Sequence, residues 1–135
     1  MPNNVIEIPS NGDNVFFFWM TVLTPFHGLS KRECEVASGF LKQRHYLSQR
    51  ITDEVLLNEV LMSTDTKRKI RDDVAIKEAH FQVIFSELRK KGFIIDGKIN
   101  PRYIPRIPRG EKEFSLAFLF SLGNEASIVE RVQEV

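Results

Sequence analysis

A chain of 135 residues with 42% hydrophobic and 27% charged residues has the composition of one ordinary globular domain, which argues against disorder and against a membrane protein. The longest apolar run, Val15 to Leu23, has nine residues, far short of the roughly 20 that span a bilayer, and no Lys or Arg precedes it to make a secretory leader. The single cysteine, Cys34, has no internal disulfide partner, so the expectation is a protein of the reducing cytoplasm with no membrane association.

The formal net charge of +1 conceals an asymmetry. Residues 67 to 112 hold thirteen Lys or Arg against six Asp or Glu, a surplus of +7, whereas residues 1–30, 31–66 and 113–135 sum to −2, −1 and −3. A cationic surplus confined to one third of a chain is the footprint expected where one face meets a polyanion, although charge runs are usually solvated surface.

In chain order, residues 4 to 8 (Asn-Val-Ile-Glu-Ile) read as a short strand, and Ser10-Asn11-Gly12-Asp13-Asn14 is dense in turn formers. Val15 to Leu23 suits a buried strand or a buried helix, with the balance toward helix, and Pro25 should end it. Leu29-Ser30-Lys31-Arg32-Glu33-Cys34 opens a helix: Ser30 and Glu33 make a capping box, and Leu29 and Cys34 are placed for a hydrophobic staple. Val36, Ala37, Phe40 and Leu41, with Leu47 beyond them, continue one buried stripe, so Cys34 reads as core rather than nucleophile. A second helix begins near Thr52 or Asp53, with Leu56, Leu57, Val60 and Leu61 as its apolar face. A third follows Ser63-Thr64-Asp65 and runs through Ile70 and Val74, carrying Lys67, Arg68, Lys69 and Arg71 on its other faces.

After Val74-Ala75-Ile76 a fourth helix spans Lys77 to Lys91, with Phe81, Ile84, Phe85 and Leu88 at i, i+3, i+4 and i+7 facing a core. Its remaining surface carries His80, Gln82, Ser86, Arg89 and Lys90, which can donate to phosphates or base edges. Two short helices joined by about three residues, the second amphipathic with a cationic outer face, form a helix-turn-helix pattern. Gly92 caps the second, and Phe93-Ile94-Ile95-Asp96-Gly97-Lys98-Ile99 reads as strand, Asp-Gly type I′ turn, strand.

These features make residues 64 to 104 resemble the winged helix-turn-helix superfamily, an α+β fold with a mainly helical core and a hairpin wing. The segment Leu29-Ser30-Lys31-Arg32-Glu33-Cys34-Glu35-Val36 is similar to the opening of LuxR-type DNA-binding domains, which commonly read L-[ST]-x-R-E-x-E-V, although here about 15 extra residues precede the helix-turn-helix. Lys-Ile-Arg, Leu-Arg-Lys-Lys-Gly and an Asp-Gly hairpin ending in Ile-Asn-Pro-Arg are also similar to small bacteriophage-encoded proteins, which would place the chain in the host cytoplasm or the virion. The superfamily resemblance implies base contacts from Gln82, Ser86 and His80, and phosphate contacts from Lys67, Lys69, Arg71, Arg89, Lys90 and Lys98. Glu78 and Glu87 would oppose such contacts.

Pro101-Arg102-Tyr103-Ile104-Pro105-Arg106-Ile107-Pro108-Arg109-Gly110 reads as an extended, non-helical basic strap. Arg102, Arg106 and Arg109 either track a phosphate backbone or are solvated on an edge packed by Tyr103, Ile104 and Ile107. Glu113 to Phe120 alternates Phe114, Leu116, Phe118 and Phe120 against Ser115, Ala117 and Leu119, which marks a strand with one buried face. Its partner would be the hairpin or residues 5–8; without one, its aromatic edge predicts homo-oligomerisation or docking into a larger assembly. Residues 124 to 135 suit a short acidic helix.

No phosphate-binding glycine loop, paired Cys/His spacing or nucleophile elbow is present, and His27, His45 and His80 are too scattered to make a ligand set. The expectation is therefore one domain that is not an enzyme, with no cofactor, metal or small-molecule substrate. DNA is the expected partner, bound by a small transcriptional regulator or accessory factor. The alternative is an adaptor or structural protein of a larger assembly.

Overall fold

The computed structural model describes residues 4–123. The chain divides into two units, Met1–Pro105 and Arg106–Val135. The first is α+β and mostly helical: α1 (Val15–Val22), α2 (Thr24–His27), α3 (Lys31–Ser48), α4 (Glu54–Leu61), α5 (Thr64–Asp73), α6 (Glu78–Lys90), then an antiparallel hairpin of β1 (Ile94–Ile95) and β2 (Lys98–Ile99). Among the described residues no helix is long and apolar enough to cross a membrane.

The ambiguous apolar run is helical. Asn11 and Asn14 fold the preceding turn, the Asn11 side chain accepting from the Asp13 and Asn14 amides, and α1 buries Phe16 and Met20. The helix over this run ends at Val22, ahead of Pro25 as expected, and Pro25 belongs to a separate short helix. The proline stands in the first turn of α2, where its missing N–H leaves no helical hydrogen bond unmade. Gly28 then reverses the chain at φ 67°.

In α3 the expected capping box is complete: Ser30 Oγ accepts from the Glu33 amide at 3.2 Å, and the Ser30 amide donates to Glu33 Oε1 at 2.9 Å. Cys34, Val36, Ala37, Phe40 and Leu41 are buried, as is Leu29 beside Cys34. Asp53 caps α4, and Arg44 of α3 holds Glu54 at 2.7 Å. Only Leu57 and Leu61 of α4 are buried, one turn apart. Leu56 is exposed, contrary to expectation, because an eight-residue helix packed on one side cannot also bury the residue about 100° round from Leu57.

The helix α5 lies against α3 at close range. A Cβ built on Gly39 would stand 2.8 Å from Cγ2 of Ile70, whose side chain is completely buried. The α5–α6 turn places Ala75 at φ 55°, a left-handed conformation that few non-glycine residues adopt. Its carbonyl accepts from Arg32 Nη2 at 3.2 Å. α6 buries Phe81, Ile84, Phe85 and Leu88, the stripe read from the sequence, and Phe40 of α3 packs 6.2 Å from Phe81 and 5.8 Å from Phe85. Just past α6, Lys91 reaches Glu33 at 2.8 Å. Arg32 and Glu33 thus tie the start of α3 to both ends of α6.

Asp96 (φ 53°) and Gly97 (φ 74°) both take the positive φ that a type I′ turn requires, pairing Ile94 with Ile99 and Ile95 with Lys98. The expectation of an extended strap beginning at Pro101 is corrected in part. Pro101–Tyr103 is a 3-10 turn, capped by the Asn100 side chain accepting from the Arg102 amide. Tyr103 is buried against Phe93, and its carbonyl accepts from Trp19 Nε1 at 2.8 Å, fastening the end of this unit to α1.

Neither expected terminal strand forms. Residues 5–8 are exposed coil without a partner strand among the described residues, and in the second unit residues 113–120 have no regular structure. Alternation marks which residues can share a face, but a strand exists only where backbone partners are supplied. The acidic helix expected over 124–135 lies outside the described residues.

Two outcomes follow from this packing. Gly39→Ala gains roughly 1 kcal/mol of helix propensity but overpacks Ile70 at a cost of roughly 1–3 kcal/mol, so thermal unfolding should show a net loss of stability. His27, only 5% exposed, is bonded at both ring nitrogens: Nε2 donates to the Met20 carbonyl at 2.7 Å, and Nδ1 accepts from the Leu29 amide at 2.9 Å. Burial lowers its pKa, outweighing the Met20 hydrogen bond and nearby Glu33. Because the native state resists a proton that the unfolded state accepts, stability should fall as pH drops below about 6.5. His27→Leu should remove that component of the pH dependence while costing roughly 1–3 kcal/mol for the unpaired backbone groups, both read from denaturant unfolding at pH 5 and 7.5.

Candidate nucleic-acid interface

The cationic residues singled out in the sequence lie on α5, α6, the hairpin and the turn after it, with Arg106 at the start of the second unit. Their placement follows from what each helix buries. α5 starts at Ser63, whose Oγ accepts from the Thr66 amide, and Thr66 donates its hydroxyl to the Val60 carbonyl at 2.7 Å. With Thr66 and Ile70 inward, the 100° step of an α-helix sets Lys67 and Arg71 on one flank, both half-buried. Lys69, exposed, falls on the opposite flank.

The same step divides α6. Gln82, Ser86 and Arg89 lie within about 60° of one another on the flank next to Phe85. His80 is about 160° from Gln82, so it does not join the polar face on which the sequence reading placed it. Between the flanks runs an outermost line of Ala79, Val83 and Lys90, with Val83 62% exposed. Glu78 sits one turn before Gln82 on the Gln82 flank. Glu87, on the His80 side, pairs with Lys90 at 3.5 Å, which neutralises one of the expected anchors.

Two of the anchors meet. Lys67 Nζ of α5 lies 4.4 Å from the centroid of the Phe85 ring, and the Arg89 guanidinium of α6 lies 5.1 Å from it. Cation–π attraction of this kind is worth about 0.5–2 kcal/mol per contact and offsets the mutual repulsion of the two cations. Among the described residues neither forms an ion pair with a carboxylate. Burial lowers the pKa of Lys67, and the neighbouring Arg89 lowers it further. A bound anion would offset both effects, so the site is electrostatically suited to a phosphate or carboxylate oxygen.

The other anchors are dispersed. Lys98 is exposed beside the hairpin tip, opposite Ile95, and Arg102 is exposed on the 3-10 turn. Arg106 and Arg109 are exposed in the second unit. Lys91, not among the expected anchors, is committed to Glu33, and this bond raises its pKa.

The sequence pattern contained Lys67, Phe85 and Arg89 but not their meeting. Phe85 registered only as a core residue, although Arg89 one turn later is the local sign that its ring can be covered by a cation. Cys34 is buried, and burial raises its thiol pKa, so it stays protonated within the core. Among the described residues no three or more His, Cys, Asp or Glu side chains gather to hold a metal ion. No protein-family model matches the chain, and no characterised protein and no solved structure shows significant similarity to it.

Proposed function

We propose that α5, its turn, α6 and the hairpin act as a winged helix-turn-helix that binds nucleic acid, double-stranded DNA in the first instance, in a small transcriptional regulator or accessory factor. The observation that carries this reading is the convergence of Lys67 and Arg89 on Phe85, one cation from each helix, on the flank that also holds Gln82 and Ser86. In this arrangement Lys67 and Arg89 grip phosphate and set the register, Gln82 and Ser86 reach base edges, and Lys98 contacts phosphate from the wing. Gln82 suits adenine, a bidentate pair supplying roughly 1–3 kcal/mol of discrimination. His80 and Lys69, on the opposite flanks of their helices, are left out of the contact.

A second reading has its own support. Ala79 and exposed Val83 make two of the three outermost positions of α6 apolar, with Lys90 the third, where a groove-reading helix is commonly polar, and such a pair suits protein contact in an adaptor or assembly component.

Duplex binding measured by fluorescence anisotropy between 50 and 200 mM salt separates the two. Each neutralised phosphate contributes about 0.9 to the slope of log K against log salt, so Lys67→Ala/Arg89→Ala should flatten the slope by about two. Lys90→Ala should change it less, because Lys90 is already paired with Glu87. Absent binding, or binding indifferent to salt and to the double substitution, would transfer the function to the adaptor reading.

A further inference from the structure

Ser10-Asn11-Gly12-Asp13-Asn14 makes the turn that leads into α1, and of the asparagines in the chain only Asn11 precedes a glycine. An asparagine side chain can be attacked by the backbone nitrogen of the residue after it, and glycine presents that nitrogen with no Cβ in the way. Asn11 and Gly12 are both exposed, so water and base reach them. Among the described residues the Gly12 amide donates no hydrogen bond, which leaves its proton open to removal. Asn11 Oδ1 accepts from the Asp13 amide at 2.8 Å and the Asn14 amide at 3.0 Å. Two donors therefore stand already at the oxygen on which charge develops when Cγ is attacked. The other asparagines of the folded unit are less open to this chemistry. The amide after Asn14 is bonded to the Asn11 carbonyl, Asn58 lies within α4, and Asn100 precedes Pro101, whose nitrogen has no proton to give up.

We propose that Asn11 is a self-modification site, converted in the folded chain through a succinimide to aspartate and isoaspartate. The inference is independent of the nucleic-acid reading. Gly12 N gives up its proton and bonds to Asn11 Cγ; the Cγ–Nδ2 bond breaks, and the side-chain nitrogen leaves as ammonia carrying a proton in place of the one released. Water then opens the ring. Cleavage between Gly12 N and Cγ leaves an aspartate in the ordinary backbone. Cleavage between Gly12 N and the backbone carbonyl leaves isoaspartate, in which the chain runs through the side chain and is one carbon longer.

The two products act oppositely on α1. Aspartate keeps the acceptor for the Asp13 and Asn14 amides, now charge-assisted, and sets a negative charge ahead of a helix whose first turn holds no acidic residue. Isoaspartate displaces what the turn fastens: the Asn11 amide on Asn14 Oδ1 at 2.8 Å, the Asn11 carbonyl that accepts from the Val15 amide at 3.0 Å, and the Asp13 carboxylate held by Lys42 of α3 at 3.1 Å.

Ageing the full chain at mildly alkaline pH and mapping its peptides by mass spectrometry tests the site. Asn11 should convert ahead of Asn14, Asn58 and Asn100 and give both acid products. Gly12→Ala is a clean comparison, because a Cβ at Gly12 meets nothing within 4 Å and no positive φ demands glycine there. That variant should keep its helical circular dichroism and convert at least an order of magnitude more slowly. Asn11→Asp, which reproduces one product, should unfold at higher urea than the unmodified chain, and the isoaspartyl form separated from aged protein should unfold at lower urea. Asn11 left intact as the chain ages, equal conversion in the Gly12→Ala variant, or an Asn11→Asp or isoaspartyl form that unfolds together with the unmodified chain would each overturn the proposal.

Discussion

The close approach of α5 to α3 is the constraint on which the first unit rests. It exists because Gly39 has no side chain: Ile70 occupies the space where a Cβ would stand, and the two helices come nearer than any larger residue allows. Immediately beside Gly39, Phe40 turns to the other neighbour of α3 and packs against Phe81 and Phe85. Two consecutive residues of α3 thus fix α5 and α6 on adjacent sides. A hydrogen bond and an ion pair at the start of α3 then hold α6 lengthwise, Arg32 donating to the Ala75 carbonyl at the preceding turn and Glu33 pairing with the following lysine.

Phe85 is the point at which this packing becomes surface chemistry. One part of its ring belongs to the aromatic cluster with Phe40 and Phe81, and the ring also receives Lys67 and Arg89. Two cations from different helices are brought together because the core beneath them fixes where each helix lies. The repulsion between the cations is borne by the folded chain, so under the proposed reading little ordering would remain to be done on binding.

Local signals carried most of the helical architecture. The Ser30–Glu33 box, the Phe81-Ile84-Phe85-Leu88 stripe and the Asp96-Gly97 turn each involve residues within a few positions of one another, so their physics is written in the order of the chain. What escaped was set by tertiary supply or by angle. Residues 5–8 and 113–120 read like strands but have no strand beside them among the described residues, and hydrogen-bond partners are not a property of the segment itself. Leu56 and His80 were placed by residue type, while the 100° step of the helix puts them elsewhere. Arg32 with Ala75, Glu33 with Lys91 and Lys67 with Arg89 join residues 43, 58 and 22 positions apart, and no local pattern connects them. The candidate site was legible as a set of cations and opaque as a geometry.

The central claim is that the Lys67–Phe85–Arg89 flank meets a phosphate backbone. Amide chemical-shift mapping of the chain titrated with duplex DNA addresses it residue by residue. The account predicts saturable shifts concentrated at Lys67, Arg71, Gln82, Ser86, Arg89 and Lys98, with the amides of Lys69 and His80 much less affected. A spectrum that does not change, or one whose shifts are confined to α1 and α2 while α5 and α6 stay silent, would contradict it.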